Sequence, residues 1–254
     1  GDSFAGVISL DLRNLNKVLE VDKDSRAALI QAGILGPDLE EELKKHNLTL
    51  RHFPQSFEHS TLGGWIATRS GGHFATLYTH IDDFVESTTT VTPSGILESR
   101  RLPGSGAGPS PDRLMIGSEG ILGVITQAWM RLQERPRFRA SSPILFDDYS
   151  DALNATRLIS QSGLFPANCR LLDADEAFFN GAADGTKHLL IVSFESADHE
   201  MDVWLSRALE IASECGGQYE LPKEKKEDAH KTGASGTWRN SFIRAPYYRE
   251  AAVR

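Results

Sequence analysis

Two small hydroxyl residues followed by paired glycines can build an anion site from main chain alone, and Ser60-Thr61-Leu62-Gly63-Gly64 has that composition. Glycine has no Cβ, so the N–H groups of Gly63 and Gly64 can approach a ligand more closely than a larger residue permits. A helix capped by Ser60 or Thr61 would offer free N–H donors and a positive dipole end, which suit a pyrophosphate. The apolar turn Trp65-Ile66-Ala67 leads on to Thr68-Arg69-Ser70-Gly71-Gly72, with Gly71 positioned for a left-handed helix stop. The plainer reading is a surface helix closed by glycine. Spacing alone leaves both open.

A second glycine block, Gly117-Ser118-Glu119-Gly120-Ile121-Leu122-Gly123-Val124-Ile125, precedes a β-like run. Its Gly120 and Gly123 mark either a bend before a strand or a close approach of backbone to a ligand. Arg170 sits mid-strand among apolar neighbours, in Asn168-Cys169-Arg170-Leu171-Leu172. An arginine there is either paired with Asp173 or Asp175 or aimed into a cavity, where its planar fork binds oxyanions well. The histidines are scattered, with no His-x-x-x-His or His-x-His pair, so zinc ligation is not indicated. His59 and His73 flank the first glycine segment and read as local hydrogen-bonding residues. There is no Gly-x-Ser-x-Gly elbow, and Gly104-Ser105-Gly106 lacks dinucleotide-fold spacing.

The elements that position these residues read as mixed α and β. Val7 to Leu12 alternates like a half-buried strand, and Arg26 to Ala32 is a second strand. Gly36-Pro37 opens a helix with Leu39 and Leu43 on one face. Phe84 to Val91, a tight turn at Thr92-Pro93-Ser94-Gly95, and Val124 to Leu132 continue the β pattern, while Leu102 to Pro111 is a loop. From Arg135-Pro136 the organisation changes. A strand at Ile144 to Phe146 is followed by a helix from Ser150 to Gln161, capped by Asp147 or Asp148. Strands at Asn168 to Leu172 and Leu189 to Phe194 come next, then a helix from Met201 to Cys215 and a last strand at Gln218 to Leu221. That β-α-β-β-α-β order is ferredoxin-like.

Composition excludes several classes. A 254-residue chain with 40% hydrophobic and 24% charged residues suits one large or two modest globular domains. A net charge of −8 with no basic tract argues against nucleic-acid binding; Lys223 to Lys226 is only a short mixed patch. Two cysteines, Cys169 and Cys215, support neither a disulfide scaffold nor a thiolate metal cluster and fit a reducing compartment. No apolar run nears the ~20 residues of a bilayer span. Gly1 to Ala5 has no signal-peptide character, so the expected location is cytoplasmic.

Taken in order, Phe53-Pro54-Gln55-Ser56-Phe57-Glu58-His59, the glycine segment, His80-Ile81-Asp82-Asp83 and the Gly117 to Thr126 block resemble the FAD-binding domain of the vanillyl-alcohol-oxidase and p-cresol-methylhydroxylase flavoproteins. Within that superfamily they resemble in particular the alkyldihydroxyacetonephosphate synthase family. The resemblance runs from about Val7 to Arg135 and returns at Ala167 to Asp173. It implies an α+β chain: a PCMH-type FAD-binding domain over 1–135 and a ferredoxin-like α+β substrate-binding cap over 136–254, both incomplete. A first glycine-rich loop would precede Val7, and the catalytic tyrosine and histidines would follow the chain. Tyr247 and Tyr248 read as packing residues.

The same resemblance implies FAD as cofactor, contacted by Gln55, Ser56, Ser60, Thr61, Gly63 and Gly64, by Thr68, Arg69, Ser70 and Gly71, and by Glu119, Gly120, Gly123, Val124 and Ile125. Arg170 would hold a substrate phosphate or a polar flavin edge. The implied reaction exchanges acyl for alkyl on acyl-dihydroxyacetone phosphate. The alternatives are an FAD-linked D-2-hydroxyacid dehydrogenase or oxidase, and a flavin-binding remnant without activity. The implied partners are a small-molecule or lipid substrate, a membrane surface touched peripherally, and a second copy of the chain.

Overall fold

The computed structural model describes residues 6–102 and 108–220. The elements, in order, are β1 (Val18–Asp22), β2 (Ala27–Gln31), α1 (Gly36–Lys44), β3 (Leu48–Thr49), α2 (Leu62–Thr68), α3 (Ala75–Tyr78), β4 (Val85–Thr92), β5 (Gly95–Glu98), α4 (Pro111–Met115), β6 (Val124–Arg131) and β7 (Gln133–Glu134). There follow β8 (Phe138–Phe146), α5 (Tyr149–Gln161), β9 (Asn168–Leu172), α6 (Ala174–Phe179), β10 (His188–Ser196) and α7 (Asp202–Glu214). Two compact units result. Among the described residues, the first gathers 6–50, 57–70 and 81–133 and the second gathers 51–56, 71–80 and 134–220. Segments 51–56 and 71–80 thus pack with the second unit although they bracket the glycine segment of the first.

The first unit is built on an antiparallel sheet in the order β1-β2-β6-β4-β5. Strand β6 enters between β2 and β4, opposing Ala28 with Met130 and Thr90 with Ile125. Ala27, Ala28 and Ile30 are all buried, so β2 is covered on both faces. Helix α1 starts as its sequence suggests, with Pro37 in the first turn and Leu39 and Leu43 buried. At Thr92–Gly95 the Thr92 hydroxyl closes the turn, donating to the Gly95 carbonyl and accepting from the Ser94 N–H.

One expectation fails here. Residues 7–12 are irregular rather than a strand, exposed as far as Asp11 and half-buried at Leu12. Their alternation satisfies the side-chain pattern of a strand, but no neighbouring strand among the described residues takes up their backbone groups. That pairing is what makes an alternating segment a strand.

The second unit carries a three-stranded antiparallel sheet in the order β8-β10-β9. Gln218 extends it by a single bridge to Leu145, beside β8. The expected last strand is this one bridge among the described residues; Leu221 lies outside them. The resulting order, Gln218-β8-β10-β9, is that of the ferredoxin-like arrangement. Helices α5 and α7 cover one face, packing Ala152, Ile159, Leu205 and Ala208 on Ile144, Phe146, Leu190, Val192 and Phe194. Each fully buried side chain of this size contributes about 1.5–3 kcal/mol of transfer free energy. Asp148 caps α5, accepting from Ser150 N (2.7 Å) and Asp151 N (3.2 Å). Helix α6 was not foreseen. Asp173 caps α6 by accepting from the Glu176 N–H at 2.7 Å. The Lys223 to Lys226 patch, Gly104 to Gly106 and the two tyrosines at 247 and 248 lie outside the described residues.

Candidate functional site

The first unit contains a cleft of about 630 Å³. Thr61, Gly63, Gly64 and Ala67 of the α2 region line it together with Glu119, Gly120, Gly123, Val124 and Ile125, and with residues 9–13. Two glycine blocks distant in sequence therefore meet at one cavity, within the size range of cofactor sites.

The glycines in its walls are there for different reasons. A Cβ on Gly63 would sit 2.8 Å from the Cβ of Ala32, and one on Gly123 would sit 2.6 Å from the Val91 carbonyl oxygen. Both are required by internal packing. A Cβ on Gly64 would meet only the Thr61 hydroxyl, at 3.6 Å, and one on Gly120 would meet nothing within 4 Å. Gly120 is instead fixed by its φ of +81°, in the left-handed region. Gly64 is the position whose bareness the protein's own packing does not require, which is what a closely approaching ligand would need.

The expected row of free N–H donors is mostly occupied. Leu62 N–H donates to Ile34 O (3.1 Å), Gly63 N–H to Ala32 O (2.7 Å) and Trp65 N–H to Thr61 O (3.0 Å). Only Gly64 N–H is lightly held, by the Thr61 hydroxyl at 3.4 Å. Other candidate groups are also engaged. Ser60 Oγ accepts from Trp65 Nε1 at 2.6 Å, and the Thr68 hydroxyl turns back to Gly64 O at 2.9 Å.

The helix stop falls at Arg69 (φ 53°, ψ 45°) rather than Gly71, because Ser70 N–H reaches back to Trp65 O and closes the turn early. The Arg69 guanidinium grips Asp82 at 2.6 Å, and Arg113 grips the same carboxylate at 2.7 Å. Burial pushes the Asp82 pKa up, but the two guanidiniums outweigh it and hold the carboxyl below its usual range. Ser70 O accepts from Ile81 N–H at 3.2 Å. Arg69 and Ser70 thus fasten α2 to the Ile81–Asp83 turn, a framework role.

Gln55, Ser56, Gly71 and Arg170 belong to the second unit. Gln55 and Ser56 lie in a turn, and Gly71 bridges to His80. Arg170 is half-buried on β9, paired in register with Ile191 of β10. Burial draws its pKa down, while the Glu176 carboxylate acts in the opposite sense. Nearby, Asn168 Nδ2 donates to His73 O (3.0 Å) and lies 3.1 Å from His73 Nε2, a tertiary contact where the sequence suggested a local one. His59 is exposed in a turn.

Sequence reading missed two features. Ser9, Leu10, Asp11, Leu12 and Arg13 line the cleft, where Arg13 is the one cation among the described lining residues and is paired to Asp11 by an Nε–Oδ2 bond of 2.7 Å. It also missed a buried polar cluster in the second unit. Arg51 binds Glu195 in a bidentate pair, stacks 3.7 Å over the Phe74 ring, and shares Glu195 with the Tyr78 hydroxyl. The available signal was Glu195 itself, an acid at the end of the apolar run Leu189 to Phe194; such acids are buried only when paired. Among the described residues no group of acidic, histidine or cysteine side chains could hold a metal, and no helix is long and apolar enough to cross a membrane.

A two-unit α+β chain with a glycine-walled cleft in its first unit defines a dinucleotide-binding protein of the flavoprotein type. Residues 1–99 match the FAD binding domain model, and residues 135–249 match the C-terminal domain of FAD linked oxidases. The chain belongs to the FAD-linked oxidase family, and FAD is its cofactor. It is 39% identical to an alkyldihydroxyacetonephosphate synthase from Dictyostelium discoideum over 227 residues, 89% of this chain and 37% of the relative. A solved alkyldihydroxyacetonephosphate synthase superposes with a TM-score of 0.78 at 31% identity, covering 94% of this chain and 47% of that one. A D-lactate dehydrogenase from Anaerostipes hadrus is 27% identical over 84% of this chain and 48% of its own length. The chain spans half or less of the length of these relatives.

Proposed function

We propose that this chain supplies cofactor and substrate contacts to an FAD-dependent enzyme that exchanges the acyl group of acyl-dihydroxyacetone phosphate for an alkyl chain, in ether-lipid synthesis. The convergence of the Gly63-Gly64 and Gly120–Ile125 segments on one cleft carries this reading. The cleft fits the cofactor through the open space at Gly64 and Gly120 and the lightly held Gly64 N–H. When bound there, the flavin supplies the electron sink for chemistry at the substrate carbon. This chain's own part would be to hold the dinucleotide with backbone at Gly64, Glu119 and Gly120, and the substrate anion with Arg170. The identity with the Dictyostelium synthase supports the substrate assignment.

The likeness to a D-lactate dehydrogenase over 84% of the chain favours, as a second reading, an FAD-linked D-2-hydroxyacid dehydrogenase or oxidase. The finer parts of the proposal are the functional halves 1–135 and 136–254, a cytoplasmic location, a homodimer, and peripheral contact with a membrane. The exposed Phe178 and Phe179 of α6 support the last of these. Assays on the full-length protein with acyl-dihydroxyacetone phosphate plus hexadecanol, against D-lactate, separate the readings. Exchange without oxidation supports the synthase, lactate turnover supports the dehydrogenase, and bound flavin with neither activity supports a remnant.

A further inference from the structure

The two faces of the β8-β10-β9 sheet have different covers. Cys169 and Leu171 of β9 point to the α5 and α7 core, with Leu190, Val192 and Phe194 of β10. The alternate residues Leu172, Leu189 and Ile191 point the other way, where α6 covers them with Ala177. Side-chain alternation puts Arg170, Asn168, Ser193 and Ser141 on this second face. The register sets Ser193 opposite both Ser141 and Asn168, and Ile191 opposite Arg170. Ser141, Ser193 and Asn168 thus form a row across three strands, one step along the sheet from Arg170.

Asn168 forms the buried end of that row, its amide held by His73. The other two members differ. Ser141 and Ser193 are partly exposed, and neither hydroxyl has a hydrogen-bond partner among the described residues. Arg170 and Ser193 are diagonal neighbours, which on an antiparallel sheet lie about 7–8 Å apart, within reach of a side chain as long as arginine. Ser141 lies one strand further on, directly opposite Ser193. A guanidinium and two rotatable hydroxyls on one sheet face make a donor set for an oxyanion.

We propose that Ser193 and Ser141 are specificity residues which, with Arg170, form a subsite for the phosphate monoester of the substrate on this sheet face. The inference rests on the reading of Arg170 as a substrate residue and adds two hydroxyls to it. A tetrahedral dianion offers three terminal oxygens, one for each donor. A carboxylate also has acceptor sites enough, but its two oxygens lie in one plane and carry one charge, so it meets the three directions of this donor set less fully than a tetrahedral dianion.

The test is calorimetric titration of the full-length, FAD-loaded protein with dihydroxyacetone phosphate, inorganic phosphate and D-lactate. Ser193→Ala and Ser141→Ala are each expected to weaken phosphate binding about tenfold, since a hydrogen bond to a charged group is lost. Ser193→Thr, which keeps the hydroxyl, should bind like the wild type. Arg170→Lys should weaken binding as well, and melting temperatures should stay unchanged in the serine variants. If Arg170→Lys weakens binding while both serine variants bind normally, the subsite is wrong and the Arg170 reading survives. Tight binding of D-lactate with none of either phosphate ligand would overturn the phosphate assignment and the synthase reading together.

Discussion

Arg69 ends helix α2 in a left-handed conformation while its guanidinium holds Asp82 at 2.6 Å, so one residue supplies both the helix stop and its anchor. A non-glycine residue in this region is strained, and the ion pair shared with Arg113 offsets the strain. Asp82→Asn should therefore destabilise the protein by about 1–3 kcal/mol at neutral pH. The sign with pH follows from the lowered Asp82 pKa. Its contribution is complete above the unfolded carboxyl value of about 3.9 and is lost as pH falls through the folded value. Denaturant melts carried from pH 7 down to about pH 2 should show the wild type losing its advantage over the variant only below about pH 3.9.

Gly63 and Gly64 should separate by substitution although they are adjacent. Gly63→Ala places a methyl 2.8 Å from Ala32 Cβ and should cost about 1–3 kcal/mol in unfolding free energy. Gly64→Ala has room and replaces an exposed helical glycine, so stability should hold or rise by up to about 1 kcal/mol. Chemical denaturation of the two variants checks the contrast.

Arg51 and Glu195 are each about nine-tenths or more buried and bind each other in a bidentate pair. Arg51→Ala would leave the buried Glu195 carboxylate only Arg139, at 3.8 Å, and the Tyr78 hydroxyl, with a predicted loss of up to about 3 kcal/mol. Glu195→Gln keeps the shape and should lose less. Comparing the two in urea melts tests whether the buried charge, rather than packing, sets the cost.

His52 is buried, and that burial, followed by the charge of His80, draws its pKa down to about 4. The unfolded chain takes up a proton near pH 6.5 and the folded one does not, so stability should fall as pH drops from about 6.5 to 4. The difference corresponds to about 3 kcal/mol at the acid end. A His52→Gln variant should show a flatter profile across that window in the same melts.

Much of this architecture was legible in the sequence where one local rule dominated. Leu39 and Leu43 share a helical face, Thr92–Gly95 has turn chemistry, and Asp148 is a helix cap; all three behave accordingly. The meeting of the two glycine blocks was also foreseen, through resemblance rather than spacing. Residues 7–12 misled because alternation reports side chains and says nothing of a pairing partner. Helix α6 escaped because it is short and buries only Ala177, leaving Phe178 and Phe179 exposed and no apolar stripe to read. The state of the α2 donors was invisible because it depends on Ala32 and Ile34, carbonyls brought in by tertiary contact.

Equilibrium FAD titration of the full-length protein, followed by quenching of flavin fluorescence, tests the central claim most directly. Wild type should be compared with Gly64→Leu, which adds bulk from one glycine block, and Val124→Phe, which adds it from the other. A common cleft predicts that wild type binds FAD and that each substitution alone weakens binding at least about tenfold, with the fold retained by circular dichroism. Unchanged FAD affinity in both folded variants would contradict it.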